Sequence, residues 1–271
     1  MKNYHNSFDY LSKSFLFNFE QSPLAAYMYM TGEKKDTDGM RFGRLYHSII
    51  AGDTDSYVLL DETKRPEPEK TFASKANKLW KNGIIDNARM NNKDIISLDE
   101  YNQILEMIER LRSDETVQRV NAFDLVQEEA FKADIKEGDI TYKVKCKPDG
   151  LQIGRGENNA NLVIDWKTCA SVAPGKVRYD FVKFGYDVQA ALYSDIISSL
   201  NGYTETNFLF VFQEKTEPYD ALPVLVKWDS ESMKEGRNKW RNYYMQAREC
   251  FDSGIWPGVA SKFDEGVLIL D

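Results

Sequence analysis

Two short stretches decide how this chain reads: K-P-D-G at 147–150 and V-I-D-W-K-T at 163–168. In an extended strand alternate residues share a face. In the second stretch Val163, Asp165 and Lys167 therefore point one way, and Ile164 and Trp166 the other. A charged pair thus sits on a strand that is otherwise apolar and central in character. Alternation over 140–149 places Lys143, Lys145, Lys147 and Asp149 on one face, opposite Tyr142, Val144 and Cys146. Charges on buried strands are costly unless they are paired or bound to metal. Two aspartates at adjacent strand ends, with a lysine two residues past one of them, suit a divalent cation, because carboxylates are the hard oxygen ligands that Mg²⁺ prefers. The backbone carbonyl of Trp166 is a further candidate ligand. Lys167 has a use beside such an ion: it can orient a nucleophilic water, favour hydroxide and stabilise negative charge on a phosphate. A plainer reading of the same residues makes Asp149 a turn aspartate ahead of Gly150, and Asp165 with Lys167 a surface ion pair on an edge strand.

Around these stretches the periodicity changes along the chain. From about residue 125 a period of two predicts strands at 125–133, 140–149 and 162–167, with Gly138-Asp139 as a hairpin turn. A helix at 186–200, strands at 207–213 and 222–228, and a long helix from Ser230 to Phe251 ending near Gly254 follow. Upstream, 7–31 reads as two helical pieces broken at Ser22-Pro23. A helix over 40–51 places Phe42, Leu45, Ile49 and Ile50 on one side, D-E-T-K-R-P-E-P-E-K at 61–70 is a loop, and 74–82 is a short basic helix. Ser97 and Glu100 form a capping box ahead of Tyr101, Ile104, Leu105, Ile108 and Leu111 at helical spacing. The expected fold is α/β: a mixed central β-sheet flanked by helices, with a helical N-terminal part. The expected organisation is one domain over 1–271, with 1–120 mainly helical and 121–255 forming the αβ core and C-terminal helix.

The chain has 271 residues, 42% of them hydrophobic and 29% charged, which is a globular composition with enough length for a buried core. No apolar run approaches the roughly 18 residues of a membrane helix, and the opening M-K-N-Y-H-N-S-F is too polar for a secretory signal. The three cysteines, at 146, 169 and 250, are scattered, which disfavours a disulfide framework or a cysteine-bound cluster and fits a reducing cytoplasm. The net charge of −8 means that any nucleic acid must be met by a local basic patch, or by cations that offset carboxylates. There is no Walker A motif, so the chain does not power a helicase.

PD followed after fifteen residues by DWK resembles the signature of the PD-(D/E)XK nuclease superfamily, and the surroundings resemble its RecE-type (exodeoxyribonuclease VIII) and RecB-like branch. F-G-R-L-Y-H at 42–47 is similar to the helix that presents a metal-ligand histidine in that branch. F-G-Y-D-V-Q-A-A-L-Y at 184–193 matches its Q-x-x-x-Y helix, and S-K-S-F-L-F-N-F-E-Q-S-P at 12–23 resembles the start of RecE-type domains.

The resemblance implies a restriction-endonuclease-like core and a Mg²⁺-dependent DNA exonuclease, with Mn²⁺ able to substitute and no iron–sulfur cluster. Asp149, Asp165, His47 and the Trp166 carbonyl would hold the metal, while Lys167 acts on the nucleophile with Gln189 in support. Tyr193, Gln189, Lys147 and Lys145 would meet substrate; the family often has a glutamate near Glu128 and Glu129, and the alternative is that both are solvated. Linear duplex ends would be the substrate and single strands for recombination the product. A RecT-type annealing partner, a homo-oligomer, and phage or prophage origin in a bacterial cytoplasm are further implications. An endonuclease or single-strand nuclease on the same fold, and a non-catalytic DNA-binding module, are the alternatives.

Overall fold

Most helix starts in the computed structural model fall where the chain offers a side-chain acceptor or a proline. The structure describes residues 8–32, 36–119, 126–127, 129–154 and 159–268. In chain order the elements are strand β1 (Leu11–Ser12), helices α1 (Lys13–Leu16), α2 (Pro23–Thr31) and α3 (Asp38–Ile50), strand β2 (Tyr57–Leu60), helix α4 (Lys75–Met90), strand β3 (Asp94–Ser97), and helices α5 (Leu98–Arg112) and α6 (Glu115–Arg119). Strands β4 (Val126–Gln127), β5 (Phe131–Glu137), β6 (Ile140–Cys146), β7 (Gly150–Gln152) and β8 (Asn161–Cys169) come next, then helices α7 (Pro174–Lys183) and α8 (Tyr186–Leu200). Strands β9 (Thr206–Glu214) and β10 (Ala221–Val226) and helix α9 (Glu231–Ser253) complete the set.

Ser22, Thr37, Ser74, Ser97 and Ser230 each accept a backbone N–H from the first turn of α2, α3, α4, α5 and α9. Prolines open α2 and α7, where a missing N–H is harmless. At α5 the capping box is complete, since the Glu100 carboxylate accepts the Ser97 N–H in return. Ser97→Ala is expected to cost about 1 kcal/mol, read as a lower urea midpoint with an unchanged slope.

Among the described residues three sheets organise the strands. One runs β10-β9-β8-β7-β4, with β8 and β9 parallel and the other pairs antiparallel. A second runs β1-β6-β5, with β1 parallel to β6, and a two-stranded parallel sheet joins β2 to β3. The five-stranded sheet is covered on both faces. Val163, Phe208, Phe210 and Phe212 pack with α8 and α9, whereas Ile164, Trp166, Leu209 and Val211 pack with α3 and α5. The parallel β8–β9 pair needs a crossover, and α7 and α8 supply it.

The mixed α/β class is as the sequence implies, with differences of detail. The expected strand at 140–149 is two strands in two sheets. Pro148, which has no N–H to offer a ladder, stands between β6 and β7, so Lys147, Pro148 and Asp149 form the passage from one sheet to the other. Lys143 and Lys145 therefore belong to a different sheet from Asp165. The strand expected at 125–133 is likewise divided into β4 and β5, and the short basic helix at 74–82 runs on to Met90. The strands β1, β2 and β3 and the helix α7 are absent from the expectations above, the strands because they are too short to establish a period. The Gly138-Asp139 hairpin joins β5 to β6 as expected.

Candidate active site

Asp165 and Lys167 lie on the face of β8 that meets α8, because their register partners are Phe210 and Phe212 in the α8-facing layer. Asp165 is 3% exposed. Its Oδ2 accepts a 2.6 Å hydrogen bond from Gln189 Nε2, and its Oδ1 lies against the Lys167 ammonium. That Oδ1 is buried, and among the described residues no aligned donor bonds to it. The Lys167 ammonium also sits 5.4 Å from the centre of the Tyr186 ring, which itself rests on Phe210 and Phe212.

Gln189 reaches Asp165 because α8 begins at Gly185. That residue has φ of +60°, and a Cβ there would run into the Phe17 ring, so glycine alone fits the turn that aims the helix. Asp149 enters from the passage between the sheets. Its Oδ2 accepts the Trp166 N–H at 2.9 Å, and its Oδ1 is 3.2 Å from His47 Nδ1. His47 Nε2 is 2.7 Å from the Trp166 carbonyl oxygen. His47 is held by its neighbour on α3: the buried Tyr46 hydroxyl donates to Gln213 Oε1 at 2.6 Å, and Gln213 Nε2 donates to the Met107 carbonyl. Thus α3, β8, α8 and the Pro148-Asp149 passage meet at one point.

The electrostatics divide the two aspartates. Burial pushes the Asp165 carboxyl up and repulsion from Asp149 adds to this, against the pull of Lys167. Burial acts the same way on Asp149, but the charge and hydrogen bond of His47, with Lys167 and the Trp166 N–H, hold it below the usual carboxylate range. Burial opposes the charged forms of His47 and Lys167, yet the carboxylates outweigh it and raise both. Lys167 therefore stands as a cation beside two carboxylates, suited to meeting negative charge and unsuited to taking a proton.

The donor chemistry fits a divalent cation: two carboxylates that repel each other, an Asp165 oxygen met only by the Lys167 ammonium among the described residues, an imidazole and a carbonyl. As arranged here, Asp149, His47 and Trp166 engage one another, and no three His, Cys, Asp or Glu side chains among the described residues form a ready-made cage.

The other expected site residues are less central. Tyr193 lies one turn beyond Gln189, with its ring centre 6.0 Å from that of Phe208 among core residues. Lys145 is 3% exposed on β6 and Lys147 is half-buried in the passage before Asp149. Glu129 is exposed, and Glu128 lies outside the described residues. Spacing gave no sign of Lys13. Its ammonium donates to the Phe184 carbonyl at 2.6 Å and lies 4.8 Å from the Phe17 ring centre. Burial, reinforced by the Lys167 charge, brings its pKa down to about 7.

Sheet topology, the divided PD and DWK stretches and the paired Gln189 define a PD-(D/E)XK nuclease-type domain. The chain belongs to the family described as "PDDEXK-like domain of unknown function (DUF3799)", whose model matches residues 12–265. No curated protein matches it. Among solved structures it is similar to one from Eubacterium rectale described as "Putative exonuclease", at a TM-score of 0.62 and 17% identity, covering 97% of this chain and 89% of that one. The structure of SSO0001 matches at a TM-score of 0.32 and 15% identity over 75% of this chain and 85% of that one. Among the described residues no helix is long and apolar enough to cross a membrane.

Proposed function

We propose that the chain is a divalent-metal-dependent DNA exonuclease of the RecE type, acting on linear duplex ends. The observation that carries this is the meeting of Asp149, Asp165, Lys167, Gln189 and His47 around the Asp165–Lys167 segment of β8. Asp149, Asp165, His47 and the Trp166 carbonyl would hold Mg²⁺ or Mn²⁺. A bound ion would offset the paired carboxylates and polarise the scissile phosphate. Lys167 presents a fixed positive charge to the phosphate oxygens, with Tyr186 limiting where its ammonium can go. Gln189 sets the orientation of Asp165 through its Nε2. Residues 1–271 act as one nuclease domain in this reading, since both apolar clusters draw side chains from before and after residue 120. Homo-oligomerisation, a RecT-type annealing partner and work in a bacterial or phage-infected cytoplasm belong to the same reading.

The test uses end-labelled linear duplex and closed circular duplex, each with Mg²⁺ or EDTA. Linear DNA is expected to be consumed from its ends only with metal, while the circle survives. Equal loss of the circle would replace the exonuclease reading with an endonuclease, and binding without any cutting would leave a DNA-binding module.

A further inference from the structure

Helix α7 buries Val177 and Asp180 and packs Phe181 against the core, but leaves its opposite side in water. That side carries Lys176, Tyr179 and Lys183, which recur at helical spacing. Tyr179 is 60% exposed, and Phe184, just past the helix, is 44% exposed. Both aromatics have cations on them. The Lys176 and Lys183 ammonium groups are each 5.5 Å from the centre of the Tyr179 ring, and Lys183 is 5.3 Å from that of Phe184.

The row continues into the site. The Phe184 ring centre is 5.8 Å from that of Tyr186, and Tyr186 carries Lys167. From Lys167 outward, rings and ammonium groups therefore follow one another along one edge: Tyr186, Phe184, Lys183, Tyr179, Lys176. The charge of this segment runs against that of the chain. Residues 174–184 hold Lys176, Arg178 and Lys183 against a single acid, Asp180, in a protein of net charge −8. Asp180 itself pairs with Lys176. Core packing explains neither exposed ring, because the helix already fills its inward side.

The geometry points to the outer face of α7 as a binding surface for an unpaired stretch of DNA that leads to or from the phosphate at Lys167. This rests on the nuclease reading above. Bases stack on aromatic faces while lysines track the phosphates, in a mode that tolerates any sequence. In the free protein the two ammonium groups cover Tyr179. Their long, mobile stems let them move to phosphates when a base takes the ring. A strand held this way has already left the duplex, so the surface would favour ends whose last bases are unpaired.

The test is competition during Mg²⁺-dependent cleavage of labelled linear duplex. Competitors are an unlabelled single-stranded oligonucleotide and an abasic strand of the same length. The base-bearing strand is expected to inhibit the wild type, and to inhibit Tyr179→Ala/Phe184→Ala about tenfold more weakly. The abasic strand should inhibit both proteins alike, and Tyr179→Trp should keep wild-type inhibition. Tyr179→Ala alone, at the more exposed position, serves if the double variant does not fold. The inference is overturned if the base-bearing strand does not inhibit the wild type, if the variants respond as the wild type does, or if both strands lose inhibition equally. In each of those cases cleavage itself leaves the nuclease reading standing. A wild type that cuts no DNA removes both.

Discussion

Lys167→Ala is expected to lower metal-dependent DNA cleavage by about a thousandfold. The ammonium it removes lies against Asp165 and within the field of Asp149, where it is the cation best placed to meet developing charge on a phosphate. Both carboxylates remain, so the variant should still bind Mg²⁺ in calorimetry while failing to cut. Separating the two readouts matters: a variant that had lost the metal would show only that the site was damaged. Lys167→Arg should rescue little, since a planar, longer guanidinium does not replace a compact ammonium in this space. Retention of activity within tenfold of wild type in the alanine variant would remove Lys167 from the chemistry.

Two glycines inside helices should respond to alanine with opposite signs. Gly83 lies within α4 with nothing within 4 Å of where a Cβ would stand, so Gly83→Ala should gain roughly 0.5–1 kcal/mol from helix propensity. Gly236 lies within α9 facing α8. A Cβ there would run into the Asp187 carbonyl oxygen and come within 2.9 Å of the Ala191 Cβ. Backbone cannot give way as the end of a side chain can, so Gly236→Ala should cost about 3 kcal/mol or more. At roughly 2–4 °C per kcal/mol for a chain of this size, the melting temperature should fall by about 10 °C. The loss should extend to activity, because the α8 held by this contact is the one that carries Gln189. If Gly236→Ala were as stable as the wild type, the close approach of α8 and α9 would be wrong.

The parts of the molecule legible in the sequence are those where one strong local pattern decides the outcome. The α8 helix carries apolar residues at helical spacing and is buried over most of its surface, and both of its ends fall where the pattern places them. The capping box of α5 and the Gly138-Asp139 turn are set by chemistry within four residues. The DWK strand was readable because Asp165 and Lys167 break an apolar alternation. Short strands were not readable: β1 has two residues, and β2 and β3 four each, too few to establish a period. The division at Pro148 was hidden because alternation continues on both sides of it while the sheet changes. Lys13 was hidden for a different reason: its place in the field of Lys167 depends on where α1 lies against Phe184, 171 residues away. No spacing rule reports a contact of that range.

The Pro148-Asp149 passage has a thermodynamic consequence. Asp149 stands one residue before the β7 ladder and is tied to β8 by the Trp166 N–H, so both carboxylates belong to the five-stranded sheet, whereas His47 comes from α3, and any shift of α3 over that sheet pulls it away from them. A ligand that gripped these carboxylates and His47 would act as a rivet between that sheet and α3, and its grip would be felt only in the assembled state. Saturation at a hundred times the dissociation constant would deepen the native well by about 2.7 kcal/mol. Thermal unfolding of this protein should therefore report magnesium even where no DNA is present.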